Sequence, residues 1–345
     1  MTKQILLSVL TLALTTTAAY ANEPSKQVKH ILTYEEPKPT VRVEPKYPIG
    51  AARQSREGWT RLSFVVNEEG HVNDVLLLES SGSADFDRES IRAVKKWKYS
   101  PALENGQPIE QCMNSVRMNF KMGGETTVGT SKKFKRYYKK ALAFMESKDY
   151  NNMMLTLDKI KAMKNRHLSE NNYYHLFLAD HYKKMNQPDK ELEHLNKVST
   201  HAGLSDKLSF SVLYRRYNRQ VTTNRFSSAI RTYKELIESE NAQQYKAQLE
   251  QSLQDITKFI ESPQDIIVSG DMGTNDFWRH SLVRNSFSLA SIEGALHKLD
   301  VRCANKRHIY TVEDNNTWNI PSTWKNCSIF LYGDDNATFK VVEHS

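Results

Sequence analysis

The chain has 345 residues, with 48 Lys and Arg against 40 Asp and Glu, which gives a formal net charge of +8. At roughly 150 residues per domain, this length predicts two or three domains. Only 13 Gly and 10 Pro exclude a collagen-like or low-complexity chain, and three Cys are too few for a disulfide scaffold. A mean hydropathy of -0.63 excludes a polytopic membrane protein.

Residues 1–21 have the pattern of a cleaved secretory signal. Lys3 makes the start positive, residues 5–18 are mostly apolar, and Ala19-Tyr20-Ala21 supplies the small residues of a cleavage site. The alternative is an uncleaved membrane anchor, which needs about 20 apolar residues. Because four threonines interrupt the apolar run, we favour cleavage and expect a mature chain that begins at Asn22 in an oxidising, extracytoplasmic space. Residues 22–44 are polar, contain three prolines and predict a flexible tether.

Residues 45–122 predict the first folded domain. Leu62, Phe64 and Val66 fall on one face of an extended segment and Arg61 and Ser63 on the other, which is typical of a half-buried strand. Glu69-Gly70 predicts the turn that follows it. The other expected elements are a helix at 49–56, a strand at 72–79, a helix at 86–97 capped by Asp85, and a strand through Val116, Met118 and Phe120.

This domain resembles the carboxy-terminal domain of the TonB family. The resemblance covers about 78 residues and rests on many matches in the same order: Pro45, Tyr47-Pro48, Ala51, Glu57-Gly58, Phe64, Val66, Gly70, Val72, Val75, Ser80-Ser81-Gly82, Phe86, Ala93, Trp97, Tyr99, Pro101-Ala102 and Asn105-Gly106. It implies two helices packed on a three-stranded antiparallel sheet.

The resemblance also implies a binding mode. In the family, the last strand accepts an extended peptide from an outer-membrane receptor, by addition of a strand to the sheet edge. Arg117 and Asn119 are expected on the solvent side of that strand. Carried over by position, the partner-binding residues are Glu44, Lys46, Tyr47, Ser115, Val116, Arg117, Met118, Asn119, Phe120 and Lys121.

Two functions follow from the resemblance. The first is a periplasmic interaction protein that binds receptors and supports TonB-dependent transport, alongside a separate TonB/ExbB/ExbD-type motor complex. The second is a full energy transducer, held in the inner membrane by an uncleaved N-terminal helix and driving uptake of siderophores or other nutrients. The N-terminal apolar segment contains no His, unlike the polar, motor-coupled face of the family's membrane helix, and the tether is short. These departures favour the first function.

Residues 131–260 predict an α-helical repeat array. Aligning Tyr150, Pro188 and Phe226 gives a period of 38 residues, and apolar positions repeat with the same step. Each unit reads as helix, polar turn and helix, which resembles tetratricopeptide-type repeats of about 34 residues. A final helix over residues 245–260 is expected to cap the stack. Such arrays present a concave surface to partner proteins, and the alternative is a spacer between domains.

The start of this array is strongly basic. Residues 131–166 hold eleven Lys and Arg against three Asp and Glu, an excess equal to that of the whole chain. With a secretory signal, anionic lipid or an acidic protein fits this patch better than nucleic acid. The alternative is a solvated helix face. The patch comprises Lys132, Lys133, Lys135, Arg136, Lys139 and Lys140.

Residues 265–345 predict a small, mainly β domain, because short strand-like runs alternate with turn residues. Cys303 and Cys327 both lie here, 24 positions apart, and are expected to form a disulfide. Cys112 is the remaining thiol. The expected fold is therefore a multidomain α+β chain: a TonB-like domain, a helical array and this β domain.

The sequence contains no motif for catalysis, a metal or a cofactor. The metalloprotease H-E-x-x-H, G-x-S-x-G, C-x-x-C, P-loop and G-x-G-x-x-G patterns are all absent. We therefore predict a protein that is not an enzyme and has no cofactor. An envelope or cell-wall enzyme is a third alternative.

Overall fold

A computed structural model describes residues 34–122, 130–163, 166–201, 203–312 and 316–345. The expected signal at 1–21 and residues 22–33 of the expected tether lie outside these ranges. The described residues form an N-terminal domain of helices and strands, a helical region and a C-terminal β domain. Within these ranges, no helix has the length and apolar character that crossing a membrane requires.

The N-terminal domain has two helices on a three-stranded antiparallel sheet of order β4-β3-β8. Leu62, Phe64 and Val66 of the central strand pack with α2 in one core, as their alternation predicts. The elements of the domain are β1 (Tyr34–Glu35), β2 (Lys38–Val41), α1 (Ile49–Arg53), β3 (Gly58–Val66), β4 (Val72–Ser80), α2 (Ala84–Val94), β5 (Lys98–Ser100), β6 (Ala102–Glu104), β7 (Gln107–Ile109) and β8 (Gln111–Phe120).

Helix α2 begins differently from the expectation. Ser83, and not Asp85, occupies the N-cap position, while Asp85 lies in the first turn. Asp85 accepts hydrogen bonds from Arg56, at 3.3 Å to Oδ1 and 2.5 Å to Oδ2. The ion pair therefore joins the first turn of α2 to the segment after α1.

The last residues of the expected tether are paired with the domain. Strand β1 pairs with β6, and β2 pairs with β5. The indole Nε1 of Trp97 donates to the carbonyl oxygen of Val43 at 2.8 Å. Residues 22–44 lack periodicity, and the sequence therefore predicted a flexible segment. The residues that pair with its last part lie about 60 positions further along the chain, so no pattern among neighbouring residues indicates the pairing.

The helical region consists of three consecutive helix pairs and a final helix. Its elements are α3 (Lys132–Glu146), α4 (Tyr150–Lys161), α5 (Leu168–Lys184), α6 (Pro188–Asn196), α7 (Asp206–Thr222), α8 (Phe226–Ile237) and α9 (Lys246–Glu261). Lys148, Asn186 and Asn224, spaced by 38, adopt the left-handed conformation in the turn inside each pair, with φ of 59°, 53° and 56°. The assignment to the tetratricopeptide class stays a prediction.

The C-terminal domain contains two four-stranded antiparallel sheets, of order β10-β15-β12-β13 and β14-β11-β16-β9. A disulfide joins Cys303 to Cys327, which confirms the expected pairing. The strands are β9 (Ile266–Asp271), β10 (Trp278–Ser281), β11 (Ser286–Glu293), β12 (Leu296–Arg302), β13 (Arg307–Thr311), β14 (Thr317–Asn319), β15 (Ser328–Gly333) and β16 (Thr338–His344).

Helix α9 joins the array to the β domain. Its buried Leu249 and Ile256 belong to the same hydrophobic core as Phe287 and Val341 of the C-terminal sheets. Arg284 reinforces this junction by donating to the carbonyl oxygens of Phe259, Ile260 and Ser262, at the end of α9. The helix therefore connects two domains and does not end the stack against solvent.

The second face of the N-terminal sheet is also covered. Trp59 and Val65 lie opposite the α2 face and are each 1% exposed. Contacts to distant residues surround this sheet: Asp74 forms an ion pair with Arg307, and Arg117 donates to Ser199 Oγ at 3.0 Å. The helical region and the C-terminal domain therefore pack against the sheet.

Candidate functional site

The outer edge of β8 is the candidate site. Strand β8 pairs with β3 on one side, and within the described ranges no strand pairs with its other side. The register is regular from Gly58 opposite Phe120 to Phe64 opposite Asn114. An edge strand of this kind presents main-chain donors and acceptors to an incoming strand.

The directions of the amide and carbonyl groups of β8 follow from those of its partner, the central strand β3. The Trp59 amide donates to Ser81 Oγ at 3.1 Å, and the Trp59 carbonyl oxygen accepts from the Ser81 amide at 2.9 Å, so both groups point toward β4. Because residues of a strand alternate between its two edges, Thr60 and Leu62 point toward β8. Their register partners Met118 and Val116 therefore bond to β3.

Ser115, Arg117 and Asn119 alternate with these partners along β8, so their amide and carbonyl groups point away from β3, to the outer edge. The side chains of Ser115 and Asn119 are exposed, as the sequence predicted for Asn119. Val116, Met118 and Phe120 pack in the core under α2 and contribute main-chain pairing to β3.

Arg117 departs from the expectation that it faces solvent. Its guanidinium carbon lies 4.1 Å from the centroid of the Trp59 ring, and its Nη2 donates to Ser199 Oγ. Burial lowers the pKa of Arg117 to about 10. Arg117 connects the sheet to the helical region because the sheet face that carries it, which was expected to face solvent, is covered. Trp59 and Val65 are apolar residues on that face, and they were the sequence feature that could have indicated its burial.

Tyr47 is part of the core beside the end of β8. Its ring lies edge-on to Phe86 and Phe120, with centroid distances of 5.7 and 5.8 Å, and its hydroxyl donates to the Arg56 carbonyl oxygen. Burial raises the pKa of Tyr47 to about 12. Glu44, Lys46 and Lys121, which were predicted to bind the same partner, are exposed. Among the binding residues predicted in the segment before α1, Tyr47 is therefore the one that lies against β8.

The basic patch forms an exposed face of α3. All six of its Lys and Arg side chains are exposed, while Phe134 between them is buried. The Ser131 hydroxyl caps the helix by accepting from the Phe134 amide at 3.2 Å. Within the described part of the chain, none of the six forms an ion pair shorter than 4.0 Å.

Cys112 lies at the start of β8 and is fully buried. Its thiol donates to Glu110 Oε1 at 3.3 Å, and burial followed by the charge of Glu110 raises the pKa of this thiol. A buried thiol of raised pKa is a poor nucleophile. In the ranges that the structure describes, no group of three or more His, Cys, Asp or Glu is placed to hold a metal ion.

Comparison with known proteins identifies the domain that contains this edge. Residues 43–122 match the family model described as "Gram-negative bacterial TonB protein C-terminal". The chain contains a TonB C-terminal domain. The match begins two residues before the boundary expected from the sequence and ends at the same residue.

Individual TonB proteins match this part of the chain. It is 29% identical over 85 residues to Protein TonB of Vibrio cholerae, covering 25% of this chain and 34% of that protein. It is 30% identical over 92 residues to Protein TonB of Escherichia coli, covering 27% and 36%. The chain spans only about a third of the length of these two relatives.

A solved structure matches as well. The solution NMR structure of the Pseudomonas aeruginosa TonB C-terminal domain is 29% identical and aligns with 26% of this chain and 90% of that one, with a TM-score of 0.24.

Proposed function

We propose that this chain serves TonB-dependent transport by binding an extended segment of an outer-membrane receptor along the outer edge of β8. The observation that carries the proposal is the orientation of Ser115, Arg117 and Asn119, whose amide and carbonyl groups point away from the sheet of a TonB C-terminal domain. An added strand would pair with these groups.

The side chains along this edge suit a segment of mixed character. Ser115 and Asn119 are exposed and polar, so they restrict the incoming side chains little. Affinity then comes mainly from main-chain hydrogen bonds, which are independent of sequence. This arrangement fits a protein that binds more than one receptor.

Substitution of Ser115 by proline tests strand addition directly. Proline removes the outward amide and places its ring in the path of the added strand, while edge strands tolerate proline where the amide faces solvent. Ser115→Ala is the matched control, since it removes the hydroxyl and keeps the amide. Binding is measured by calorimetry with synthetic peptides that span the extended periplasmic segments of outer-membrane receptors.

We expect peptide affinity to fall at least tenfold in Ser115→Pro and to stay near the wild-type value in Ser115→Ala. Loss of one main-chain hydrogen bond together with a steric clash accounts for about 1.4 kcal/mol or more. Equal affinity of the two folded variants would rule out strand addition at β8.

We further propose that the chain acts in the periplasm after cleavage between Ala21 and Asn22, with motor coupling supplied by a separate complex. The support is the signal-like pattern of residues 1–21, in which four threonines interrupt the apolar run. The N-terminal residue of the native protein in fractionated cells tests this. Asn22 in the soluble periplasmic fraction supports the accessory binder, and Met1 in the inner-membrane fraction supports the anchored energy transducer.

A further inference from the structure

Arg117 is the middle outward position of β8, and its side chain is anchored outside its own strand. Its amide and carbonyl groups point to the outer edge, while its guanidinium group lies on the covered face of the sheet beside Trp59. Nη2 donates to Ser199 Oγ at 3.0 Å, and Nε donates to Asn119 Oδ1 at 3.2 Å. One guanidinium group is therefore bonded both to the next outward position of the edge and to the helical region.

The acceptors that hold Arg117 are neutral. Among the described residues, no carboxylate oxygen lies within 4.0 Å of its guanidinium nitrogens. A hydrogen bond from a charged donor is stronger than a bond between neutral groups. Ser199 is 1% exposed, so this bond is shielded from water, and a shielded hydrogen bond is stronger than an exposed one. The Ser199 hydroxyl is therefore a main support of the Arg117 side chain.

Three helices fix the position of Ser199. Its amide donates to Asn172 Oδ1 at 2.9 Å, and its carbonyl oxygen accepts from Asn172 Nδ2 at 3.3 Å. Asn172 lies on α5 and is fully buried. From α7, Arg216 donates to the carbonyl oxygens of Leu195 and Val198, at the end of α6. The amide, carbonyl and hydroxyl groups of Ser199 are all bonded, so the position of its hydroxyl depends on the packing of α5, α6 and α7.

The connection between α6 and α7 packs closely on the same asparagine. Gly203 adopts the left-handed conformation, with a φ of 77°, and a Cβ at this position would lie 3.1 Å from Asn172 Nδ2 and 3.2 Å from the Ser169 amide nitrogen. A residue with a side chain would strain this turn and press on the asparagine. Residues 199 and 203 are therefore both held against α5, which makes the support of Arg117 rigid.

We propose that the chain of contacts from Asn172 through Ser199 to Arg117, which we call the serine relay, makes strand addition at β8 depend on the docked helical region. Ser199 is a positioning residue: through Arg117 it fixes the main-chain groups in the middle of the edge before a receptor segment arrives. An edge that is ordered in advance loses less conformational entropy on binding, so affinity is higher. The relay rests on the proposed function, strand addition at β8, and regulates it.

The relay also predicts an effect in the opposite direction. Coupling between two sites is reciprocal, so a segment bound to β8 would stabilise the docking of the helical region. The helical region would then respond to whether the edge is occupied.

Ser199→Ala is the direct test of the relay. It removes the acceptor of Arg117 and keeps the amide and carbonyl groups that hold the connection to α5, so the variant should fold. Ser147→Ala is the matched control, because the Ser147 hydroxyl is exposed and donates to the Phe144 carbonyl oxygen of its own helix. Arg117→Met is a second variant that keeps a long side chain and removes the donors. Combining Ser199→Ala with Arg117→Met completes a double-mutant cycle.

Affinity for receptor peptides is measured by calorimetry, with the same peptides as for Ser115→Pro. We expect the wild type and Ser147→Ala to bind equally, and Ser199→Ala to bind about fivefold more weakly, since the edge is no longer ordered in advance. In the Arg117→Met background, Ser199→Ala should cause no further loss, because Ser199 acts through Arg117. A merely structural role of Ser199 would give additive losses instead.

Hydrogen exchange of the free protein supplies a measurement that needs no peptide. The amides of Val116 and Met118 bond to β3, and they should exchange faster in Ser199→Ala than in the wild type or Ser147→Ala. Equal exchange in the wild type and Ser199→Ala would overturn the relay, and so would equal peptide affinity of these two proteins. Absence of peptide binding by the wild type would overturn strand addition itself and the relay with it, so the two failures are distinguishable.

Discussion

Asp74 and Arg307 form an ion pair between residues 233 positions apart, and it fastens the C-terminal domain to strand β4. Arg307 also donates from Nε and Nη2 to the two carboxylate oxygens of Asp300, at 2.9 and 2.8 Å. Arg302 donates to the same carboxylate at 2.9 Å, and its Nη1 lies 3.4 Å from the Asp74 carbonyl oxygen. Asp300 therefore organises the two arginines that reach across the domain boundary.

The two carboxylates of this network are expected to differ in their contribution to stability. Asp300 is fully buried, so Asp300→Asn leaves two mostly buried guanidinium groups without their counter-charge and should lower the free energy of unfolding by about 3–5 kcal/mol. The side chain of Asp74 is 47% exposed, so Asp74→Asn should cost about 1 kcal/mol or less. Urea denaturation of both variants measures the difference, and equal costs would contradict this ranking.

A second prediction uses the alternation along β8. Val116 bonds to β3 through its main chain, whereas Ser115 points its amide to the outer edge. Val116→Pro should therefore destabilise the fold by about 3 kcal/mol or more, because it breaks the existing ladder. Ser115→Pro should change the melting temperature little. If the two prolines destabilise the protein equally, the assigned main-chain directions are wrong.

The sequence predicted features that depend on local pattern. The alternation of Leu62, Phe64 and Val66 identified the central strand and the face that packs on α2. The 38-residue period recurs in the spacing of the left-handed turn residues Lys148, Asn186 and Asn224. Both features arise from the geometry of one strand or one helix pair, so neighbouring residues suffice to reveal them.

The sequence did not predict what covers the second face of the sheet. Arg117 was expected to face solvent because it follows the polar positions of an edge strand. Its contact with Ser199, like that of Asp74 with Arg307, joins residues far apart in the chain, and no periodicity encodes such a pair. Trp59 and Val65 on the supposed solvent face were the only local indication.

The disulfide of the β domain provides a third prediction. Cys303 follows β12 and Cys327 precedes β15, and these strands pair at Arg302 opposite Ser328. Replacing both cysteines by alanine should lower the free energy of unfolding by roughly 3 kcal/mol, since a loop of this length is no longer closed in the unfolded chain. Cys112→Ala is the control that shows whether a reducing agent affects stability through the free thiol. The wild type and this control should lose stability on reduction, and the double variant should not.

Two histidines in the helical region make stability depend on pH. The Nδ1 atoms of His175 and His194 are 3.0 Å apart, and burial lowers the pKa of both, that of His194 to about 4. Lys197 lowers both pKa values further, and Glu193 opposes this for His194. In the unfolded chain both histidines titrate near pH 6.5. The unfolded state therefore binds more protons between these values, and stability falls as the pH drops from about 6.5 to 4.

Replacing His194 by glutamine tests this linkage. The variant should show a smaller loss of stability over that range, by at most about 1.4 kcal/mol per pH unit for the removed histidine. Denaturation in urea at pH 7, 6, 5 and 4 gives both slopes. His297→Gln is the control, because His297 is exposed in the C-terminal domain and pairs with the exposed Asp334. A slope in His194→Gln as steep as that of the wild type would exclude the pair as the cause.

The exposed face of α3 provides the last prediction. Lys132, Lys133, Lys135 and Arg136 are exposed and form no ion pair with described residues, so their charge is available to an anionic surface. At about 1 kcal/mol for each charge near such a surface, changing all four to glutamine should weaken sedimentation with phosphatidylglycerol vesicles more than tenfold. Neutralising Lys246 and Lys258, exposed on α9, should have little effect. Unchanged sedimentation of the fourfold variant would show that the patch is a solvated helix face.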